Sequence, residues 1–356
     1  MHPAVVTVSK GAPLEILQVP TIDPVDDEVQ VRVEWTASTP LDLHQSDGGL
    51  LVTHPQVLGD GVAGPVVKVG PKVKKLQVGD MVFGFTWREQ KEKAFQEFCV
   101  APEYLLGKIP IGFTPQQAVV LGNNFVTVFH AVTTDLELPL PWPVPAAAPP
   151  HADDTILIWG GSSSVGQYAL QILRHWGYRK LIATGSPKHH DLLMSLGALE
   201  VFDYRDPSIV KSILDAYGAI PFILDCIGSK DGSIAPIAKI ARKGSKVAIL
   251  LPVIMKDSTE TEEPVYEMDV EKAAAWAEGV DARGVRTHFY LQGKNEVFKN
   301  ELQSTIMPTL LAEGIVKPNK FRIVEGKTML ERAQNALDLL RRKEVSAERL
   351  VWRVAE

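Results

Sequence analysis

Thr155-Ile156-Leu157-Ile158-Trp159-Gly160-Gly161-Ser162-Ser163-Ser164-Val165-Gly166 runs from an apolar stretch through a glycine-rich turn into an amphipathic stripe. Five uncharged, mostly apolar residues read as a buried strand. From Ser164 to Trp176 the residues Val165, Tyr168, Ala169, Ile172, Leu173 and Trp176 fall on one helical face. Between strand and helix, Gly160 and Gly161 permit a tight turn at positive φ and let backbone amides approach an anion. Gly166 permits close packing of helix on strand, and the helix N-terminus adds positive potential. Strand, turn and helix in that order read as a dinucleotide phosphate loop.

The next strand, Lys180-Leu181-Ile182-Ala183-Thr184, bears on which dinucleotide binds. An NAD site commonly places Asp or Glu at its end to hold the ribose hydroxyls. Here Gly185-Ser186-Pro187-Lys188-His189-His190 follows, and no acid occurs before Asp191. A hydroxyl at Ser186 and an ammonium at Lys188 suit a 2′-phosphate, so NADPH is the expected cofactor. The alternative is a helix N-terminus with a solvated lysine. Tyr204, after a further short strand, either closes over the adenosine or simply packs.

Outward from the loop, strand and helix alternate from Asp154 to about Gln292. The strands are Val201-Phe202-Asp203, Pro221 to Asp225 and Lys246 to Leu250; the helices run from His190 to Leu196 and from Ile234 to Ile240. This pattern predicts an α/β fold with a doubly wound parallel sheet. The first hundred residues read differently. Short runs at Val5–Val8, Glu28–Val33 and Gly64–Val69 between Gly, Pro and Asp turns predict a β-rich barrel or sandwich. Gln116 to Val132 reads as one helix. Pro139 to Pro150 is rich in Pro and Ala and reads as a surface insertion or as a docking ligand. A helix from Glu331 to Leu340 and a strand from Arg349 to Val354 end the chain.

The chain has 356 residues, which favours two domains. A formal net charge of −6 without a basic cluster argues against nucleic acid as a partner. No run of eighteen apolar residues and no secretory pattern occurs, so a cytoplasmic protein without a membrane span is expected. Two cysteines, Cys99 and Cys226, cannot build a disulfide framework or a four-Cys zinc site.

Val57-Leu58-Gly59-Asp60-Gly61-Val62-Ala63-Gly64-Pro65-Val66-Val67-Lys68-Val69-Gly70, with Val78-Gly79-Asp80-Met81-Val82-Phe83-Gly84, the phosphate loop and Leu196-Gly197-Ala198, resembles the quinone-oxidoreductase branch of the medium-chain dehydrogenases/reductases. The resemblance implies a GroES-like catalytic domain over 1–117, completed by 306–356, and a Rossmann domain over 118–305. The Pro-rich insertion, Gly185-Ser186-Pro187, Val201 to Asp206 and Val345 to Val351 resemble more closely the fungal ToxD-like proteins and trans-acting enoyl reductases of polyketide assembly. That likeness implies NADPH contacts at Pro40, Leu41, Asp42, Leu43, Ser163, Ser164, Val165, Ser186, Pro187, Lys188, His189, Tyr204, Leu250, Leu251, Val345 and Ser346. It implies a substrate pocket from Gly122, Asn123, Asn124, Phe125, Val126 and Thr127 with Asp281, Arg283 and Arg286. Members often carry Lys after the Pro-x-Asp-x segment, where this chain has His44. The implied substrate is an α,β-unsaturated acyl thioester of the kind an acyl-carrier domain of a polyketide synthase holds, and the implied assembly is a monomer in preference to a dimer.

Zinc enzymes of the superfamily place Cys near Ser38-Thr39 and Gly-His-Glu where this chain has Gly59-Asp60-Gly61, so no metal is expected. Without a Lewis acid, conjugate hydride addition is favoured over alcohol oxidation, because its charge spreads into an enolate that hydrogen bonds hold. His44 is a candidate acid, and Asn124 and Thr127 are candidate donors to that enolate. A quinone or enone reductase and a non-catalytic NADPH-binding partner protein stand as the alternative functions.

Overall fold

The computed structural model describes residues 1–259, 261–292 and 296–355. The expected domain ranges 118–305 and 306–356 therefore include a few residues outside the described ones (260, 293–295 and 356). The chain forms two compact units, one of Met1–Val126, Ser258–Pro264 and Tyr290–Glu356, the other of Thr127–Asp257 and Val265–Phe289.

In the second unit, six described strands form a parallel sheet: β1 (Thr155–Trp159), β2 (Lys180–Gly185), β3 (Glu200–Asp203), β4 (Phe222–Asp225), β5 (Lys246–Leu250) and β6 (Asp281–Val285). Their spatial order is β3-β2-β1-β4-β5-β6, which is the doubly wound arrangement with its switch point between β1 and β4. Every residue of β1 is buried, as expected for a central strand covered on both faces. Helix α1 (Ser164–His175) turns Val165, Tyr168, Ala169, Ile172 and Leu173 into the core. A second cluster joins Leu157, Ile182, Ile213, Ile223, Ile237 and Ile249.

The proline-rich segment belongs to this unit. Trp176 donates its indole N–H to the Pro141 carbonyl at 2.9 Å, and the Tyr178 hydroxyl donates to the Pro139 carbonyl at 3.0 Å. Leu138 and Leu140 are buried. The start of the segment is thus held by the chain's own side chains, which favours the surface-insertion reading over the docking-ligand one.

The first unit is built mostly from short antiparallel strands, with Lys320–Ile323 paired parallel to Glu348–Arg353. The longest sheet path runs through Lys320–Ile323, Glu348–Arg353, Trp35–Ser38, Gly61–Val69, Glu28–Arg32 and Phe98–Pro102, with Met81–Phe85 and Leu106–Lys108 branching from it. The terminal strand pairs antiparallel with Trp35–Ser38, so the end of the chain completes the sheet its beginning started. Trp352 lies edge-on to Phe95 at 4.6 Å and donates its indole N–H to Ser38 Oγ at 3.0 Å. Gln303, fully buried, accepts from the Phe85 amide at 2.6 Å and donates to the Phe85 carbonyl at 3.1 Å.

The single helix read over 116–132 is corrected to two, Pro115–Val119 and Gly122–His130, followed by a wider turn over Ala131–Asp135. A Cβ on Gly122 would lie 3.2 Å from the Gly84 carbonyl oxygen, so the break brings the second helix hard against that strand. Among the described residues no helix is long and apolar enough to cross a membrane.

Candidate functional site

The phosphate loop follows β1 and leads into α1. Gly160 has φ +79, a conformation that favours glycine, and its amide donates to Thr184 Oγ1 at 2.9 Å. The Gly161 amide donates to the Thr184 carbonyl at 2.8 Å, which ties the loop to β2. Ser163 caps α1: its hydroxyl accepts from the Gly166 amide at 3.0 Å. Ser164 and Val165 begin the helix, where first-turn amides have no intrahelical acceptor and aim at an anion. A Cβ on Gly166 would lie 2.6 Å from the Gly160 oxygen and 2.7 Å from Gly161 Cα. The loop can hold its shape only because that atom is missing, and a loop so shaped fits a dinucleotide pyrophosphate.

Ser186 directly follows β2, with Pro187, Lys188 and His189 forming a turn of 3₁₀ helix. Lys188 is exposed. Tyr204 and Arg205 follow β3, the neighbouring strand, and come to the same place. Arg205 donates from one terminal nitrogen to Ser186 Oγ at 2.8 Å and from Nε to the Tyr204 hydroxyl at 3.2 Å. Its guanidinium carbon stands 5.1 Å from the Tyr204 ring centroid. Hydrogen bonds from Arg205 and Ser186 lower the Tyr204 phenol pKa. Asp203, the acid at the end of β3, accepts from the Arg205 amide at 3.1 Å. Sequence reasoning missed Arg205. The available signal was a basic residue just past the strand that neighbours β2.

Leu250 ends β5 and Leu251 follows it. Asp281 and Arg283 lie on β6, with Arg286 just beyond. Arg283 donates to Asp281 at 2.6 and 2.9 Å and pairs with Glu137 at 2.8 Å. Thr127 Oγ1 lies 3.0 Å from Thr287 Oγ1 in buried surroundings.

In the first unit, Pro40, Leu41, Asp42, Leu43 and His44 lie on the helix Pro40–Gly48. Asp42 is buried: Oδ2 accepts from the Thr39 amide at 2.7 Å and Oδ1 from the Gly59 amide at 3.1 Å. Asn123, on the helix Gly122–His130, donates to Asp60 Oδ2 at 2.6 Å. Asn124, Phe125 and Val126 continue that helix, and Asn124 Nδ2 is buried without a partner among the described residues. Val345 and Ser346 lie in the turn before the terminal strand, beside Ala347 at φ +55. The structure thus gathers Asp42, Asp60 and Asn123 in the first unit, and Ser186 with Tyr204 in the second.

A parallel sheet in this strand order, with a glycine phosphate loop after its first strand, makes the second unit a dinucleotide-binding fold. Residues 25–129 match the alcohol dehydrogenase GroES-like domain family and residues 164–260 the zinc-binding dehydrogenase family. A trans-enoyl reductase of Aspergillus japonicus, himH, is 31% identical over 335 residues, covering 92% of this chain and 90% of that protein. The enoyl reductase component of lovastatin nonaketide synthase of Aspergillus terreus, lovC, is 31% identical over 359 residues, covering 98% and 93%. Among solved structures, the quinone oxidoreductase of Coxiella burnetii matches with a TM-score of 0.75 at 19% identity over 99% of each chain. The chain belongs to the medium-chain dehydrogenase/reductase superfamily of NAD(P)H-dependent oxidoreductases.

The second matched family is named for zinc, and the residues here do not fit that ion. No group of three or more His, Cys, Asp or Glu among the described residues is placed to hold a metal. Cys99 is fully buried in its strand. Asp60 instead faces a buried lysine, Lys93.

Proposed function

We propose that this protein is a zinc-independent, NADPH-dependent enoyl reductase that saturates the C=C bond of an α,β-unsaturated acyl thioester carried by a polyketide synthase. The observation that carries this reading is relatedness at 31% identity along 92% and 98% of the chain to two proteins named as enoyl reductases. The bound nicotinamide would supply a hydride to the β-carbon. The chain's task is then to orient the thioester, stabilise the oxygen that gains charge and exclude competing water chemistry. Ser186, Lys188, Tyr204 and Arg205 are the residues we assign to the 2′-phosphate, and Ser163 to Gly166 those we assign to the pyrophosphate. Asn123, Asn124 and Thr127 are assigned to the acyl end.

The test compares an enoyl pantetheine thioester, a simple quinone and a primary alcohol with the purified protein and NADPH or NADP⁺. Reduction of the thioester, with no alcohol oxidation, is the expected result. Quinone turnover that exceeds every thioester by a wide margin replaces this reading with a quinone reductase. Zinc content well below one equivalent, and activity unchanged by a chelator, are also expected. Stoichiometric zinc with activity lost on chelation defeats zinc independence.

A further inference from the structure

The first unit buries a charged group that the reading so far leaves unused. Lys93 is 7% exposed, and Asp60 and Asp42 are 3% and 1% exposed. The charges of Asp60, Asp42 and Glu92 all act on Lys93. Glu92 is already occupied by Arg88, at 2.6 Å. Asp42 spends both oxygens on backbone amides. Asp60 spends Oδ2 on Asn123, while its Oδ1 is buried without a partner among the described residues. Among the described residues the Lys93 ammonium has no hydrogen-bond or ion-pair partner within reach. A lysine buried without a direct partner carries a substantial desolvation cost, so its position calls for an explanation in binding.

The neighbourhood supplies one. The Thr86 amide donates to the Asp60 carbonyl at 2.9 Å, and Thr86 Oγ1 is also buried without a partner among the described residues. On either side of Thr86, Phe85 and Trp87 stack at 4.1 Å, and Tyr290 lies 5.3 Å from Trp87. Asp42 lies on the segment assigned to the cofactor, and Asn123 on the segment assigned to the substrate. The buried cation therefore lies in the field of groups from both segments, and Thr86, bonded to the Asp60 backbone, stands between two stacked rings that offer an apolar chain a surface.

We infer that Lys93 donates a hydrogen bond to the carbonyl oxygen of the conjugated substrate and holds the charge that oxygen gains, with Asp60 as the residue whose negative charge supports the ammonium. A conjugated carbonyl becomes more negative at oxygen as the β-carbon accepts a hydride, so a buried ammonium stabilises the transition state more than the ground state. The negative charge of Asp60 favours the charged lysine, and its Oδ2 accepts from Asn123. The inference rests on the proposed function only in taking a conjugated carbonyl compound as substrate.

Geometry and charge give a pH signature. Burial lowers the Lys93 pKa, while the negative charges of Asp60, Asp42 and Glu92 raise it, and the net shift is downward. Burial, with Asp60 alongside, pushes the Asp42 carboxyl up to about 7. Activity that needs charged Lys93 is lost as pH rises through its pKa, below the ordinary lysine value of about 10.4. The experiment measures kcat/KM against pH for wild type, Lys93→Met and Asp60→Asn on an enoyl pantetheine thioester, an enone and a quinone, with NADPH affinity by fluorescence titration. Lys93→Met is expected to lose roughly a hundredfold or more in kcat/KM, to lose the alkaline limb and to bind NADPH within about twofold of wild type. Asp60→Asn removes a charge that supports the ammonium, so its alkaline limb moves to lower pH, a shift that a merely structural residue would not cause. A Lys93→Met enzyme within threefold of wild type, or a wild-type profile flat to pH 10, overturns the inference. If Lys93→Met does not fold, the wild-type limb and the direction of the Asp60→Asn shift decide. Turnover of the enone or quinone but not the thioester defeats the proposed function and leaves the Lys93 test readable. No turnover of any conjugated carbonyl defeats both.

Discussion

Gly166→Val is expected to weaken NADPH binding by roughly a hundredfold, the affinity lost with about 3 kcal/mol of charge-assisted hydrogen bonding to the pyrophosphate. Two effects oppose each other at this position. Replacing a helical glycine with a residue bearing a Cβ relieves backbone entropy, at most about 1 kcal/mol for alanine and less for valine. Against that, the new Cβ would meet the Gly160 oxygen at 2.6 Å, Gly161 Cα at 2.7 Å and the Gly161 oxygen at 2.8 Å. These are backbone atoms of the phosphate loop, and no side-chain rotation moves them aside. Overpacking of that kind costs about 1–3 kcal/mol, so the clash wins. The loop must move off the N-terminus of α1, and the movement falls where the pyrophosphate would lie. Calorimetric titration with NADPH, with a melting curve to show that the second unit still folds, checks the expectation. A folded variant that binds NADPH within threefold of wild type would show that the loop does not grip the cofactor as argued.

How much of this was legible before folding depends on how local each feature is. β1, β2, β4 and β5 announce themselves because a strand buried on both faces must be apolar throughout, as Thr155 to Trp159 is. The phosphate loop was legible because its glycines, cap and helix are contiguous. The helix Ile209–Tyr217 escaped notice although Ile209, Val210, Ile213 and Leu214 mark one face. The break at 120–121 could not be read, because its cause is the Gly84 backbone nearly forty positions earlier. The same holds for the acidic group around Lys93. Asp42, Asp60, Lys93 and Asn123 come from four separate stretches, and only strand pairing in the first unit brings them together. As a sequence, Lys91-Glu92-Lys93 reads as a solvated charge run, yet Glu92 and Lys93 are buried. Arg205 lies between these extremes: its stretch was singled out, but its aim toward Ser186 follows from the parallel pairing of β2 with β3.

Arg205→Ala is expected to weaken NADPH by about ten- to a hundredfold and to leave NADH within about twofold, because one charge-assisted contact to phosphate is worth that much in affinity. The expectation rests on where Arg205 already points. Its guanidinium donates to Ser186 Oγ and to the Tyr204 hydroxyl, so it is oriented before any ligand arrives, and less side-chain freedom is lost on binding. Ser186 is the first residue after β2, the place where an NAD enzyme carries its ribose-binding acid. The nearby acid, Asp203, is engaged by the Arg205 amide. Lys188 adds a second cation two residues after Ser186; it is exposed, as Arg205 is, but among the described residues no side-chain hydrogen bond orients it in advance. Arg205→Ala should therefore cost more than Lys188→Ala, and both losses should shrink at high ionic strength because both cations are exposed. Titrating NADPH and NADH into wild type and both variants at two salt concentrations separates the contributions. Equal losses for both cofactors would place Arg205 in the structure of the turn rather than on the phosphate. Equal wild-type affinities for the two cofactors would remove the 2′-phosphate site altogether.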